Sequence, residues 1–219
     1  MEPFLSKEAV EFLYNGRLVQ LIDNVNRMTG GTDHEGKPIY DVIYATAQDP
    51  TQAPLLNNAS QAWNIGFFLQ SLTSTYIEPR DSLKRDIAEH FGTFERFQNA
   101  FEESALSLFG NGWTWLVASS NGDLGVINTF NATSPFTALP HGHEASRKGV
   151  SYVSLSEKID QRPFVYVTPI LGLSMWQEAF LLNYGLDRES YVKNFWKCVN
   201  WSAVEERLGP TKSSAWRMQ

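Results

Sequence analysis

The amino-acid sequence predicts an α+β fold: an N-terminal α-helical hairpin packed on a C-terminal three-stranded antiparallel sheet with surrounding helices. Apolar residues recur at helical spacing before Gly110, which indicates amphipathic helices. A period-two pattern follows, as in half-buried strands, and helical spacing then returns near the C-terminus. Helices and strands that are segregated along a chain in this way are typical of α+β architecture.

Four helices are predicted in the N-terminal half from apolar spacing, N-cap residues and glycine stops. They cover Ser6 to about Met28, roughly 55–76, Asp81–His90, and a helix capped by Thr93 that ends at Gly110. Residues 32–54, between the first two helices, are polar and contain three prolines, so they are predicted to form a loop.

The C-terminal half predicts a sheet followed by three helices. "GWTWLVASSNGDLGVINTF" contains two strand-like runs around Asn121-Gly122, which is a hairpin signal, and "FVYVTPIL" predicts a third strand. Residues 132–163 are turn-rich and are predicted to be irregular. The C-terminal helices are predicted at about 174–184, 190–199 and 201–208. The change of pattern near residue 90 predicts two domains, residues 1–88 and 89–219.

Composition excludes several classes of protein. The chain has 219 residues, of which 42% are hydrophobic, so it is long and apolar enough for a sizeable core. A net charge of −6 argues against broad nucleic-acid binding. The single cysteine, Cys198, excludes an internal disulfide framework and is predicted to be a packed thiol. We find no signal peptide and no apolar run long enough to span a membrane.

Several motifs occur together, in order, along most of the chain. They are "NNASQAWN", "FGTFERFQNAF" followed by "FGNGWTWLV", "TPILGLSMWQEAFLLNY" and "YVKNFWKCVNWSAVEERL". In this order they resemble the signatures of the iron/manganese superoxide dismutase family. The resemblance implies that family's fold, in which three His and one Asp hold a single Mn or Fe ion.

The resemblance also implies where the four metal ligands would fall. The three His positions correspond to Leu13, Ile65 and Glu178, and the Asp position corresponds to Ser174. Leucine and isoleucine have no lone pair to donate, and a hydroxyl with one carboxylate does not make a site for a trivalent redox metal. We therefore expect no metal, no other cofactor and no enzymatic activity.

Other positions that the resemblance implies are partly retained. Gln61, Trp113, Trp115 and Trp176 match residues that line the family's pocket, although a purely structural role fits each of them too. The residues expected at a subunit interface are Arg17, Gln177, Phe180, Leu181 and Tyr184. Arg17 is also a candidate partner for the carboxylate of Glu178, which needs compensation if it is buried.

One loop could suggest a different metal site. His141, Gly142, His143 and Glu144 place two imidazoles and a carboxylate close together in sequence, but no second cluster at ligand spacing accompanies them. Whether this loop binds any metal is left open by the sequence.

A fold that keeps its core and loses its site is usually retained for its surface. The chain is similar to the metal-free fungal members of the superfamily that belong to the small mitochondrial ribosomal subunit. The resemblance implies a non-catalytic ribosomal protein of the mitochondrial matrix. It implies a homodimer, or a heterodimer with a related superoxide dismutase-fold chain, and contacts with other mitochondrial ribosomal proteins. Ribosomal RNA could be contacted through small basic patches such as "KSSAWRMQ"; no membrane contact is expected.

Two alternatives remain. The first is a divergent metal-dependent oxidoreductase that uses Glu178, Ser174 and Gln61 in the same pocket. The second is a free-standing dimeric scaffold with no ribosomal association.

Overall fold

A computed structural model describes residues 1–119, 122–138, 150–153 and 167–215. The strands are β1 (Gly112–Ser119), β2 (Leu124–Phe130), β3 (Val150–Val153) and β4 (Val167–Ser174). The first helices are α1 (Lys7–Glu11), a π-helical segment (Phe12–Leu18), α2 (Val19–Thr29), α3 (Ile39–Thr46) and α4 (Ala53–Gln70). They are followed by α5 (Asp81–Phe91), α6 (Phe94–Ser107), α7 (Pro135–Ala138), α8 (Gln177–Tyr184), α9 (Arg188–Phe195) and α10 (Trp201–Ala215).

The first predicted helix is confirmed as a continuous helical arm formed by α1, the π-helical segment and α2. Its N-cap is Ser6, whose side chain accepts a hydrogen bond from the backbone N–H of Ala9 at 3.2 Å, and Gly30 is its C-cap. The π-helical segment has no counterpart in the sequence prediction. Such segments are rare within α-helices and often occur at functional sites. The arm packs against α4, which gives the predicted helical hairpin.

The predicted loop at 32–54 is wrong in part, because this range contains α3 and a short 3₁₀ turn at Pro50–Gln52. Pro38 occupies the N-cap of α3, a position whose backbone N–H makes no hydrogen bond within the helix, so a proline there costs the helix no hydrogen bond. Val42 and Ile43 are buried in a small apolar cluster with residues of α2 and α4. The next helix, α4, ends at Gln70 and so is shorter than predicted.

The sheet is antiparallel with strand order β3-β2-β1-β4, and it contains the three predicted strands. A fourth strand, β3, pairs with β2 at one edge. It lies inside the segment that was predicted to be irregular, because four residues are too short to show a clear period-two pattern. The three predicted C-terminal helices are confirmed as α8, α9 and α10.

One main hydrophobic core joins the helical arm, the sheet and the C-terminal helices. β1 is buried along its whole length, since α6 contacts it directly and α4 contacts the neighbouring strand β4. Cys198 is buried in this core, as predicted. Within the described ranges, no helix is both long enough and apolar enough to cross a bilayer.

Candidate functional site

One wall of the candidate site is the face of the sheet that carries Trp113 and Trp115. The two indoles lie 5.6 Å apart between ring centroids in a stacked arrangement. Gly172 pairs with Trp115 across β1 and β4, and a Cβ atom at this glycine would lie 2.6 Å from the indole ring. Only glycine lets the two strands pair with the ring in this position.

Gln61 of α4 approaches this wall from the helical hairpin. The Trp113 Nε1–H donates a hydrogen bond to Gln61 Oε1 at 3.3 Å, and both side chains are buried. Trp113 also pairs directly with Ser174 of β4, so the side chains of these two residues lie on the same face of the sheet. The structure therefore places both Gln61 and Ser174 beside Trp113, all three of which are positions that the resemblance assigns to the pocket.

An ion pair connects the helical arm to α8 beside this place. Arg17 Nε donates to Glu178 Oε1 at 3.2 Å, and the two side chains are 30% and 20% exposed. The predicted pairing of these two residues is confirmed, and it forms within a single chain. Since Glu178 lies in the first turn of α8, the N-terminal dipole of that helix also favours its negative charge.

The four positions implied as metal ligands carry chemistry that does not fit Mn or Fe. Leu13 and Ile65 are buried hydrocarbon side chains, with 1% and 2% exposure. Ser174 offers a neutral hydroxyl, which accepts from the backbone N–H of Trp176 at 3.4 Å, and Glu178 is engaged by Arg17. Two donor side chains, one of them already paired with a cation, do not supply the nitrogen and oxygen set that these metals require.

Over the ranges that the structure describes, no group of three His, Cys, Asp or Glu side chains is arranged to hold a metal ion. The loop His141, Gly142, His143 and Glu144 lies outside those ranges.

The remaining candidate residues lie at the start of α8 and along it. Trp176 is half-buried and its Nε1–H donates to the backbone carbonyl of Asn131 at 3.3 Å. The backbone N–H of Gln177 donates to Asn111 Oδ1 at 3.3 Å. These contacts fix the end of β4 and the first turn of α8 against the loops that flank β1 and β2.

The residues expected at an interface differ in exposure. Phe180 is buried in this chain's own core, and the Tyr184 hydroxyl donates to the backbone carbonyl of Phe4 at 2.6 Å. Leu181 and its neighbour Leu182 are 52% and 62% exposed. The apolar surface that α8 offers to a partner is therefore formed by these two leucines, and the partner itself stays a prediction.

Tyr191 of α9 is a site residue for which no role was predicted. Its hydroxyl donates to the backbone carbonyl of Ser174 at 2.7 Å, and complete burial raises the pKa of this hydroxyl well above its ordinary value. Tyr191 therefore stays protonated and holds the end of β4 in place. Only its occurrence in "YVKNF", within a predicted helix, could have indicated a buried tyrosine.

A helical hairpin packed on an antiparallel sheet, with stacked tryptophans facing a buried glutamine, defines a protein of the superoxide dismutase type. The family model described as "Iron/manganese superoxide dismutases, C-terminal domain" matches residues 79–141 and 143–207. This chain belongs to the iron/manganese superoxide dismutase family. The fold class predicted from the sequence is that of the family.

Relatives along nearly the whole chain carry the name "Superoxide dismutase [Fe]". The protein from Salmonella typhimurium is 30% identical over 209 residues, which is 95% of this chain and 92% of the relative. The protein from Entamoeba histolytica is 31% identical over 208 residues, 95% of this chain and 93% of the relative. The protein from Synechocystis sp. is 33% identical over 210 residues, 95% of this chain and 92% of the relative.

Proposed function

We propose that this chain is a non-catalytic member of the family that serves as a structural component of the small mitochondrial ribosomal subunit. One observation carries the non-catalytic part: Leu13 and Ile65, at two implied ligand positions, are buried hydrocarbon side chains. No change of rotamer gives either residue a donor atom. The ribosomal part is supported by the resemblance to metal-free family members of that subunit.

In this proposal, apolar packing replaces the metal as the link between the hairpin and the sheet. Burying one leucine or isoleucine side chain contributes roughly 1.5–3 kcal/mol to folding. The ion pair between Arg17 and Glu178 connects the helical arm to α8. Arg17 also compensates the negative charge of Glu178, which stands at one of the implied ligand positions. The pocket then acts as a rigid core behind an outer surface that contacts other proteins.

The surface proposed for a partner is the exposed side of α8 and the adjoining arm. Leu181 and Leu182 are exposed there, and Arg17, whose side chain is 30% exposed, lies beside α8 through its ion pair with Glu178. We expect a dimer with a second copy or with a related chain of the same fold. Sedimentation at micromolar concentration tests self-association. If only monomer is found, the homodimer is excluded and co-purification decides whether a related chain is the partner.

An iron-dependent dismutase is the second candidate, and the names of the relatives favour it. Elemental analysis of the purified protein, with dismutase assays before and after loading with Fe or Mn, separates the two candidates. We expect far less than one metal ion per chain and activity equal to the buffer blank. About one bound Fe or Mn per chain, together with measurable dismutation, would establish the enzyme instead.

The cellular part of the proposal has its own test. A tagged chain is followed through density-gradient fractions of mitochondrial lysate at low salt, where we expect it with the small ribosomal subunit in the matrix. A tagged mitochondrial matrix enzyme run on the same gradient marks the light soluble fractions. If the chain stays entirely in those fractions, the free-standing scaffold replaces the ribosomal proposal.

A further inference from the structure

A cavity lined by aromatic rings lies where α3, α4 and α7 meet the first residues of β4. Its volume is about 270 Å³, and it is partly open to solvent. Its walls include Tyr40, Trp63, Phe67, Phe136, Thr168 and Pro169. We call it the aromatic cavity.

The aromatic cavity is separate from the implied metal pocket. Trp63 and Phe67 are four residues apart and lie on one side of α4. Gln61 and Ile65, which belong to the implied metal pocket, are offset from them by two residues, or about 200° around the helix. The two sites therefore face opposite sides of α4, and a ligand of the aromatic cavity does not depend on whether this chain binds a metal.

The rings of the aromatic cavity hold one another in place. Trp63 and Phe136 meet edge to face with their centroids 4.8 Å apart, and Tyr40 lies 4.7 Å from Phe136. Phe67 stacks on Trp63 at 5.1 Å. Both faces and edges of aromatic rings prefer to contact a further ring. Because Tyr40 is still 43% exposed, a ligand that covered it would also remove apolar surface from water.

The charge around the aromatic cavity favours a neutral ligand. None of the lining residues named above is charged. The guanidinium of Arg207 lies 3.9 Å from the centroid of the Phe67 ring and donates to two neutral oxygens, Ser71 Oγ at 2.8 Å and the carbonyl of Ile170 at 3.2 Å. Burial lowers the pKa of Arg207 to about 10, so it is positively charged at neutral pH and repels a cation. An anion would lose its hydration without meeting a charged donor in these walls.

The volume of the aromatic cavity and its hydroxyl groups narrow the class of ligand further. An apolar cavity of about 150 Å³ in another protein binds benzene, so the larger volume here suits a ligand of two fused rings. The hydroxyls of Tyr40 and Thr168 are the polar groups of the walls. Burial, together with the neighbouring Tyr44, raises the pKa of Tyr40 to about 12, so its hydroxyl stays protonated and neutral.

We propose that the aromatic cavity is a binding site for a small, neutral, bicyclic aromatic molecule of the indole type. The rings of Trp63 and Phe136 contact the two fused rings, and the hydroxyl of Tyr40 or Thr168 accepts from a polar edge such as an N–H group.

A titration of the isotope-labelled full chain with indole, followed by NMR, tests the site directly. We expect saturable binding that shifts the indole N–H resonance of Trp63 and leaves that of Trp176, at the start of α8, unchanged. N-methylquinolinium has two fused rings and a fixed positive charge, and it should bind about tenfold more weakly or worse. No saturable binding of indole, or binding that does not shift Trp63, would overturn the site. Tighter binding of N-methylquinolinium than of indole would overturn the neutral class of ligand.

Two variants locate the ligand independently. Thr168→Phe fills the aromatic cavity from β4, and Phe136→Ala removes one of its walls; each should weaken indole binding by about tenfold or more. Thr75→Phe, which adds the same ring in an exposed loop after α4, is the matched control and should bind indole like the unmodified chain. Urea unfolding of each variant shows which of them are folded. Unchanged affinity in either folded cavity variant would refute the assigned site, and if neither variant folds, the Trp63 resonance of the unmodified chain decides.

Discussion

Ile65→His restores the residue type that the family resemblance implies at this position, and we expect it to destabilise the protein. Ile65 is 2% exposed and belongs to the main core together with Leu13. Removing its side chain from the core forfeits roughly 1.5–3 kcal/mol of apolar burial. Burying an imidazole without a hydrogen-bond partner costs about 1–3 kcal/mol more. The free energy of unfolding should therefore fall by on the order of 2.5–6 kcal/mol.

Equilibrium urea unfolding measures this loss. Ile65→Val is the matched control for volume and should cost only about 0.5–1.5 kcal/mol. Ile22→His places the same imidazole on the arm at a residue that is 39% exposed, where little change is expected.

The loss should also depend on pH. Desolvation lowers the pKa of a buried imidazole in the folded state, whereas in the unfolded chain the pKa stays at about 6.5. As pH falls through the pKa of the unfolded state, the unfolded chain binds the proton before the folded protein does. The difference in the free energy of unfolding between the Ile65→His variant and the unmodified protein should therefore increase. Above that pH the deficit should be constant.

The decisive experiment repeats the urea unfolding of the Ile65→His variant in the presence of equimolar Mn or Fe. One imidazole among Leu13, Ser174 and an Arg-paired Glu178 supplies too few ligands, so we expect no shift of the midpoint. An Ile65→His variant that is stabilised by stoichiometric Mn or Fe would refute the conclusion that the residues of this pocket do not fit these metals. A variant as stable as the unmodified chain would refute the assigned packing role.

Three further outcomes are expected in the same unfolding assay. Arg17→Met should lower stability by about 1 kcal/mol, and less when Glu178→Gln is also present, because the carboxylate then no longer needs its cation. Gly172→Ala should cost about 1–3 kcal/mol, since its Cβ would lie 2.6 Å from an indole ring. Gly66→Ala in α4 should instead gain up to about 1 kcal/mol, because the added Cβ would meet no atom within 4 Å beyond the adjacent residues and the helix's own backbone. Tyr191→Phe should cost about 0.5–1.5 kcal/mol, because it leaves a β4 carbonyl without its donor.

Local signals in the sequence were enough for most of the fold. Ser6 and Thr93 accept the predicted capping hydrogen bonds, and the strand-like runs before and after Asn121-Gly122 form paired strands. The loop prediction failed for α3 because prolines outweighed the spacing of Ile39, Val42, Ile43 and Thr46, which is that of one helical face. A proline at the first residues of a helix is compatible with that helix. Pro38 directly precedes the helically spaced apolar residues, and this position distinguishes a helix start from a loop.

The candidate site was predictable only where a resemblance linked distant segments. Arg17 and Glu178 are separated by 161 positions, and no local pattern indicates that they meet. The hydrogen bonds from Trp113 to Gln61 and from Tyr191 to Ser174 depend on side-chain directions that tertiary packing determines. The π-helical segment was missed for a related reason, since apolar spacing over seven residues does not separate a π-helix from an α-helix.

The contacts of the first residues with α8 and α9 have a consequence for how the chain folds during synthesis. Phe4 is 1% exposed and its ring lies 5.0 Å from that of Tyr191, while the backbone N–H of Ser6 donates to Asn183 Oδ1, 177 positions further along the chain. Phe4 is synthesised long before α9 and therefore cannot bury its ring against Tyr191 until nearly all of the chain between them has been made. Contacts of such sequence separation slow folding and prolong the exposure of apolar surface. Chaperone occupancy on the nascent chain should accordingly persist until α9 has emerged.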